Sequence, residues 1–223
     1  ISLEELLASR QRAADPSGVF AHAGSFVQRQ VVILPRFFAE DEKYLLETRF
    51  LKPDHFQLMT LQNNRPAMAV LYNGKNAWRV DYINRTVTPI EEPELSVLRT
   101  VFIFGVPDGD LLAVFKRIDL TSVTIGGDEF YKLHCVPRAA GVPGFDLYID
   151  SASFLTKMIR TTESDDGVDI KYSATIESYG NYGDVMIPDR CSIRQGDRNE
   201  ETQVVQFELN VPFKEADFQP PKF

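Results

Sequence analysis

The stretch Val-Asp-Ile-Lys-Tyr-Ser-Ala-Thr-Ile-Glu-Ser, residues 168–178, alternates apolar and polar side chains without interruption. A period of two is typical of a β-strand that buries one face and exposes the other to water. Residues 205–211 repeat the pattern. A parallel sheet covered on both faces would show continuous apolar runs instead. The two segments therefore predict an antiparallel sheet with one covered face.

Outward from these two segments, strand patterns recur along most of the chain. The tight-turn dipeptide Asn73-Gly74 predicts a hairpin between two of them, because it readily adopts two positive φ angles. Strands that follow one another with such short connections form an antiparallel meander. The predicted strands lie at about 26–34, 43–51, 54–61, 66–72, 76–82, 118–125, 129–137, 145–150, 155–162, 168–178, 185–194 and 202–211.

Two segments follow a helical period instead. Ser2 and Glu5 form a capping-box pattern, which predicts a helix at the beginning of the chain. Between residues 91 and 116 the alternation stops, and apolar residues recur at helical spacing after an acidic first turn. We expect this insertion to form helices that pack on the sheet. The predicted fold class is thus α+β with mainly antiparallel strands.

Composition sets limits on partners. The 223 residues are 43% hydrophobic and include 16 Phe and 8 Tyr, which is ample material for a core and excludes a disordered chain. The net charge of −8 repels phosphate backbones, so we expect no nucleic-acid partner.

The longest uncharged apolar run, residues 101–106, is far below the roughly 20 residues of a membrane span. No transmembrane segment is expected, and a single domain over residues 1–223 is predicted.

The sequence lacks the common catalytic and metal-binding motifs. The chain contains no G-x-S-x-G, H-E-x-x-H, G-x-x-x-x-G-K or C-x-x-C pattern. We therefore predict that the protein is not an enzyme and binds neither a metal nor a cofactor. His22, His55 and His134 are distant in sequence; they are either ordinary histidines or parts of a site assembled from separate strands. Cys135 and Cys191 lie in different predicted strands, and both a disulfide and two free thiols are compatible with that spacing.

Several short segments combine turn residues with sheet-facing residues; none of them is a catalytic signature, and together they span about two thirds of the chain. They are Tyr72-Asn73-Gly74 before Ala77-Trp78, Leu147-Tyr148-Ile149-Asp150 before Leu155-Thr156-Lys157, Asp184-Val185-Met186-Ile187-Pro188, and Phe207-Glu208-Leu209-Asn210-Val211-Pro212 with Phe218 and Pro220. These segments and the order of the predicted elements resemble the LolA-like family of periplasmic lipoprotein carriers and outer-membrane lipoprotein-sorting proteins.

This resemblance implies a strongly curved, incompletely closed β-barrel with an N-terminal helix and a helical lid insertion on its concave face. It also implies a periplasmic binding or carrier protein for lipoprotein acyl chains, lipid or another hydrophobic ligand. The chain begins at Ile1 without an initiator Met, which fits either signal-peptide removal or trimming, and we expect an exported protein. The alternative is a cell-envelope protein–protein interaction module with a dry core.

The candidate ligand contacts follow from strand parity and helix spacing. We expect the sheet residues among them to share one face under the helical insertion, with the sole indole near the rim of the cavity. The same residues could equally form a permanently packed core, since an apolar face usually is one. The nine candidates are Phe56, Leu58, Met68, Val70, Trp78, Val80, Leu95, Leu98 and Phe102.

Overall fold

The computed structural model describes residues 1–35, 40–104, 106, 109–165 and 168–223; for residues 162–165 and 168–170 it describes the backbone only. Within these residues the chain divides into two compact units. Unit 1 comprises Ile1–Ala21 and Ser96–Glu200, and unit 2 comprises His22–Leu95 and Glu201–Phe223. A single domain over the whole chain stays a prediction.

The elements of the described residues follow the predicted order closely. The helices are α1 (Leu3–Ala14), α2 (Val19–His22), α3 (Glu94–Phe104) and α4 (Leu111–Val114), followed by a C-terminal 3₁₀ helix at Glu215–Phe218. The strands are β1 (Ser25–Leu34), β2 (Glu42–Leu51), β3 (His55–Gln62), β4 (Arg65–Asn73), β5 (Ala77–Asp81), β6 (Thr86–Ile90), β7 (Phe115–Ile125), β8 (Asp128–Pro137), β9 (Phe145–Asp150), β10 (Thr156–Asp165), β11 (Val168–Tyr182), β12 (Val185–Gln195) and β13 (Arg198–Leu209).

Unit 2 is built on seven antiparallel strands in the order β6-β5-β4-β3-β2-β1-β13. In the part of the chain that the structure describes, β6 pairs with β5 alone and forms an open edge. Pro89 lies in this strand, where its missing N–H costs no ladder hydrogen bond on the open side. The sequence patterns did not predict this short edge strand, the four-residue helix α2 or the C-terminal 3₁₀ helix.

Unit 1 carries the order β12-β11-β10-β9-β8-β7, again antiparallel throughout. Among the described residues β7 pairs with β8 only, so this order also ends in an open edge. The fold class predicted from sequence, α+β with mainly antiparallel strands in a sheet that is not closed, is confirmed. No helix in the described ranges is both long and apolar enough to cross a membrane.

The hairpin between β4 and β5 forms as predicted, but its turn is longer than the expected two residues. The N–H of Asn73 donates to the carbonyl of Asn76 at 3.1 Å, and the Asn73 side-chain oxygen accepts from the N–H groups of Lys75 and Asn76. Only Gly74 adopts a positive φ, of 83°. Asn73 thus closes the loop with its side chain and keeps an extended backbone.

Both predicted helical segments are confirmed. At the N-terminus, the Ser2 hydroxyl accepts from the N–H of Glu5 at 3.2 Å while the Glu5 carboxylate accepts from the N–H of Ser2 at 2.7 Å. The insertion at 91–116 contains α3 and α4; its residues 105, 107 and 108 lie outside the described residues. Helices α1, α3 and α4 pack against the strands of unit 1, and they enclose its core.

Candidate functional site

The contact between α3 and the sheet of unit 1 is the helix–sheet interface that the sequence predicted. Three α3 side chains, Val97, Ile103 and Phe104, pack against the buried core. The Phe104 ring centroid lies 5.1 Å from that of Phe145 and 5.9 Å from that of Phe115. The core residues beneath are Leu6, Leu111, Phe115, Leu133, Cys135, Val142, Phe145, Leu147 and Ile149.

Helix α3 is apolar on more of its surface than this core covers. The predicted contacts Leu95, Leu98 and Phe102 are half-buried and are not members of the unit 1 core cluster. Val101 has 46% of its surface exposed. The buried Thr100 hydroxyl donates to the carbonyl of Ser96 at 2.8 Å, so it needs no partner from the sheet. A surface helix normally confines its apolar side chains to one stripe, and α3 does not.

A small cavity of about 30 Å³ lies in unit 1, beside the end of α3. Its walls are mainly apolar, and one end is polar: Arg10 Nε donates to Thr156 Oγ1 at 3.3 Å, and the Tyr179 hydroxyl donates to the Thr156 carbonyl at 2.6 Å. Burial raises the pKa of Tyr179, which keeps this hydroxyl protonated. The lining residues are Arg10, Ala14, Phe104, Val106, Leu147, Leu155, Thr156, Ile159, Ile176, Tyr179, Met186 and Pro188.

The size of this cavity decides what it can hold in the observed state. A volume of about 30 Å³ exceeds the roughly 10–15 Å³ that one water needs. It is far below the roughly 300–1,000 Å³ of small-molecule pockets. An acyl chain therefore has no room in this cavity as it stands, and space for one would have to come from movement of the helix that closes it.

In unit 2, the six predicted sheet contacts do not share one face, so that part of the prediction is wrong. The register places Leu58 opposite Val70, with Phe56 and Met68 on the same side. Val70 in turn pairs with Arg79, so Trp78 and Val80 point to the other side. The group on that other side is Met59, Leu61, Ala69, Leu71 and Val80, with Leu45, Trp78 and Tyr82 packed against it.

The two groups also differ in burial. Phe56 and Val80 are fully buried, and Phe56 contacts the ring of Tyr72 at 5.2 Å between centroids. Met68 has 37% of its surface exposed, while Trp78 is half-buried and contributes to the edge of its cluster. Trp78 therefore lies on an apolar face of unit 2, and whether it contacts a ligand stays a prediction.

The face that carries Trp78 also contains a charged network that the sequence did not reveal. The carboxylate of Glu47, only 1% exposed, accepts from Arg29 Nε at 2.5 Å and from Arg49 Nε at 2.6 Å. Two cations offset the cost of burying this charge. Gln57, opposite Arg49, is buried, and its side-chain oxygen has no hydrogen-bond partner within the described ranges. The face is therefore apolar in one part and strongly polar in the next.

Unit 1 also has a polar groove of about 970 Å³. It lies on the sheet face opposite the one that packs against α1, α3 and α4. Asp146 accepts from Lys132 at 2.8 Å and lies 2.7 Å from His134 Nδ1. Partial burial alone would raise the pKa of Asp146, but the hydrogen bonds from Lys132 and His134 outweigh it and lower that pKa. The same bond raises the pKa of Lys132. The groove is lined by His134, Gly144, Asp146, Tyr148, Arg160, Thr161, Lys171, Tyr172, Ser173, Arg194, Gly196 and Asp197.

Within the residues that the structure describes, the His134–Asp146 pair does not extend to a nucleophile. Ser173 also lines the groove, but it lies on β11, three strands from β8, which is about 14 Å at about 4.8 Å per step. The hydroxyl of Thr161 donates to the Gly144 carbonyl at 2.8 Å. Thr161 pairs with the buried Phe145 in the β9–β10 ladder. Across the described residues, no group of three or more His, Cys, Asp or Glu could hold a metal ion.

The two cysteines are free thiols, so the disulfide hypothesis is wrong. Cys135 pairs with Ile118 in the β7–β8 ladder and points into the unit 1 core, where burial raises its pKa to about 12. Cys191 is half-buried and pairs with Ile176 in the β11–β12 ladder. Strands β9, β10 and β11 separate Cys135 on β8 from Cys191 on β12.

Solved structures resemble this arrangement over the full chain. A LolA superfamily protein from Nitrosomonas europaea matches with a TM-score of 0.72 at 12% identity, covering 99% of this chain and 98% of its own. The chain has the fold of the LolA superfamily. The resemblance of this LolA-like chain noted from its sequence is thereby confirmed at the level of fold. No family model and no curated protein matches it.

Two further structures support the LolA-like fold. A putative outer membrane lipoprotein-sorting protein domain from Vibrio parahaemolyticus gives a TM-score of 0.66 at 14% identity, covering 95% of this chain and 94% of its own. A DUF1329 family protein from Desulfovibrio piger gives 0.68 at 10% identity, with 97% of each chain covered. At such identities the shared fold is established and individual site residues are not transferred.

Proposed function

We propose that this LolA-like protein binds and carries a hydrophobic ligand, such as a lipoprotein acyl chain or a lipid, in a space that opens between α3 and the sheet of unit 1. The observation that supports this proposal most is the nature of α3. It is apolar on several faces, and within the described residues the unit 1 core is contacted by three of its side chains, Val97, Ile103 and Phe104. A helix held by few side chains can separate from a sheet at low cost, and its remaining apolar surface can then face a ligand.

The energies are compatible with ligand-driven opening. Full burial of three side chains of this kind is worth roughly 1.5–3 kcal/mol each, and those of α3 are only partly buried. An acyl chain of about 15 carbons gains on the order of 12 kcal/mol when it leaves water, at ~0.8 kcal/mol per CH₂. The ligand therefore offsets the loss of the α3 contacts with a margin. The small cavity beside Phe104 provides the starting point for that opening.

The predicted contacts enter this proposal in two groups. On α3, Leu95, Leu98 and Phe102 are half-buried, and we expect them to contact the ligand after opening. In unit 2, Trp78 and Val80 belong to an apolar face of their own. The remaining four, Phe56, Leu58, Met68 and Val70, lie on the reverse side of that face. We propose that the protein carries this ligand through the periplasm, the aqueous space between two membranes.

A second candidate function is protein recognition in the cell envelope. The observation that favours it is the edge strand β7, eleven residues long, which pairs on one side only within the described ranges. An unpaired strand edge offers a row of N–H and C=O groups to an extended segment of another protein. Charged residues such as Lys116, Arg117 and Asp119 interrupt its apolar character, as is common for edges that avoid aggregation.

A matched pair of α3 variants tests the carrier proposal. Leu98→Glu places a charge on the half-buried α3 surface that an acyl chain would cover, where an unpaired carboxylate is costly. Val101→Glu introduces the same charge at the exposed position. Retention of a fluorescent fatty acid is measured for both after gel filtration, with circular dichroism to establish folding. Loss of retention by a folded Leu98→Glu variant alone supports the proposal, and equal retention by both variants contradicts it.

A further inference from the structure

The polar groove of unit 1 is organised around a row of residues that crosses five strands. His134 of β8 lies directly opposite Asp146 of β9, Asp146 opposite Arg160 of β10, Arg160 opposite Ser173 of β11, and Ser173 opposite Arg194 of β12. Directly opposite residues point to the same side of a sheet. This row therefore forms one continuous line of polar side chains on the face that the helices leave uncovered.

Three cations surround Ser173 within this groove. Arg160 and Arg194 lie one strand away on either side, so their Cα atoms are about 10 Å apart at about 4.8 Å per strand. Lys171 precedes Ser173 by two residues on the same strand and therefore the same face, about 7 Å along it. Ser173 separates the two guanidinium groups, which as direct neighbours would repel each other. The Ser173 hydroxyl thus lies between the two arginines, with the lysine to one side of it along the strand.

Among the described residues, these three cations form no ion pair with a carboxylate. The guanidinium carbon of Arg160 lies 5.2 Å from the Tyr148 ring centroid, which supports the group from one side. Arg194 Nε donates to the Gly196 carbonyl at 3.3 Å. Lys171 is exposed. Donors of all three groups are consequently available to a ligand.

The carboxylates of the groove do not balance the positive charge of Arg160, Arg194 and Lys171. Asp146 is already engaged by Lys132 and His134, which use both of its oxygens. Among the groove residues that the structure describes, Asp197 is the other acidic one. The chain as a whole has a net charge of −8, so its average surface repels anions. Three cations around one hydroxyl are therefore a local departure from the character of the protein.

We propose that this groove binds a phosphate group, with Arg160 and Arg194 on either side of it, Lys171 beside it and the Ser173 hydroxyl donating from below. A phosphate monoester carries between one and two negative charges near neutral pH and three terminal oxygens. Arginine pairs with phosphate through two parallel hydrogen bonds, and lysine binds it as a point charge. A carboxylate has one charge and two oxygens, fewer than these donors can satisfy. The inference is independent of the apolar ligand proposed above.

The test uses the full chain and two sources of phosphate. Titration calorimetry with inorganic phosphate measures binding of the free group, and flotation with phosphatidylcholine vesicles with or without phosphatidic acid measures binding of a lipid headgroup. A salt concentration of about 0.15 M shortens the Debye length to about 8 Å and suppresses long-range attraction. The groove variants are Arg160→Gln and Arg194→Gln. The control is Arg117→Gln, which removes the same charge from an arginine that is 65% exposed on β7 and paired with Asp119.

Each groove variant is expected to weaken phosphate binding about tenfold or more, because one charge-assisted pair is lost, while the control binds like the wild type. Groove-dependent binding of inorganic phosphate without vesicle binding identifies a soluble phosphate compound as the ligand. Groove-dependent binding of the phosphatidic acid vesicles identifies a lipid headgroup. Absence of both, or equal losses in Arg117→Gln and the groove variants, overturns the proposal. Unchanged melting temperatures establish that the variants are folded.

Discussion

Replacing Phe104 with Ala removes the largest contact between α3 and the unit 1 core. Its ring packs against Phe115 and Phe145 and closes one side of the small cavity. Truncation of a fully buried Phe costs roughly 3–5 kcal/mol. Because Phe104 is half-buried, we expect about 2 kcal/mol, which is roughly a 30-fold change in an equilibrium constant. Urea unfolding followed by circular dichroism measures the loss.

The same variant tests whether α3 opens at this contact. If the contact breaks when α3 separates locally from the sheet, hydrogen exchange of the α3 amides should accelerate by the same factor of roughly 30. Val101→Ala is the control on the same helix, and at 46% exposure it should cost less than about 0.5 kcal/mol. A loss of stability by Phe104→Ala without faster α3 exchange would refute local opening. Equal stabilities of the two variants would refute the anchoring role.

Three further predictions follow from the described residues. In the wild type, α3 amides should exchange faster than those of β11, which is paired on both sides; equal protection would favour a permanently packed core. Thiol labelling of denatured, unreduced protein should detect two reactive thiols. In the native state Cys135 should react more slowly than Cys191, because the pKa of Cys135 is raised to about 12. Asp146→Asn should destabilise the protein by up to about 1 kcal/mol at pH 7. Since the folded-state pKa of Asp146 lies below the ordinary pKa of an aspartate, this difference should disappear as the pH falls through that lowered pKa, and a difference constant to pH 2 would contradict the assignment.

The sequence was informative where a single segment determines its own structure. The alternation that predicts β13 and the helical spacing that predicts α3 are local properties, and both elements form where expected. Edge strand β6 was missed because it is five residues long and contains Pro89, which argues against a strand except at an edge. Whether a segment lies at an edge depends on the whole sheet order, which no single segment reveals.

The assignment of faces failed for a related reason. Alternation shows which residues share a face within one strand, but the hairpin register decides which face of the next strand continues it. Val70 lies opposite Arg79, and this pairing turns Trp78 away from the face of Leu58. The row that surrounds Ser173 could not be predicted either, because its members come from five strands whose mutual register is set by long-range pairing.

Native mass spectrometry of the protein purified from its host cells without detergent tests directly whether the protein carries a hydrophobic ligand. We expect a fraction of molecules whose mass exceeds that of the chain by one acyl-chain-bearing lipid, released as the folded protein is collisionally activated. Addition of a fatty acid to the unliganded fraction should produce the same kind of complex. A single mass equal to that of the chain alone, unchanged by added fatty acid or phospholipid, would contradict the claim that a hydrophobic ligand enters between α3 and the sheet.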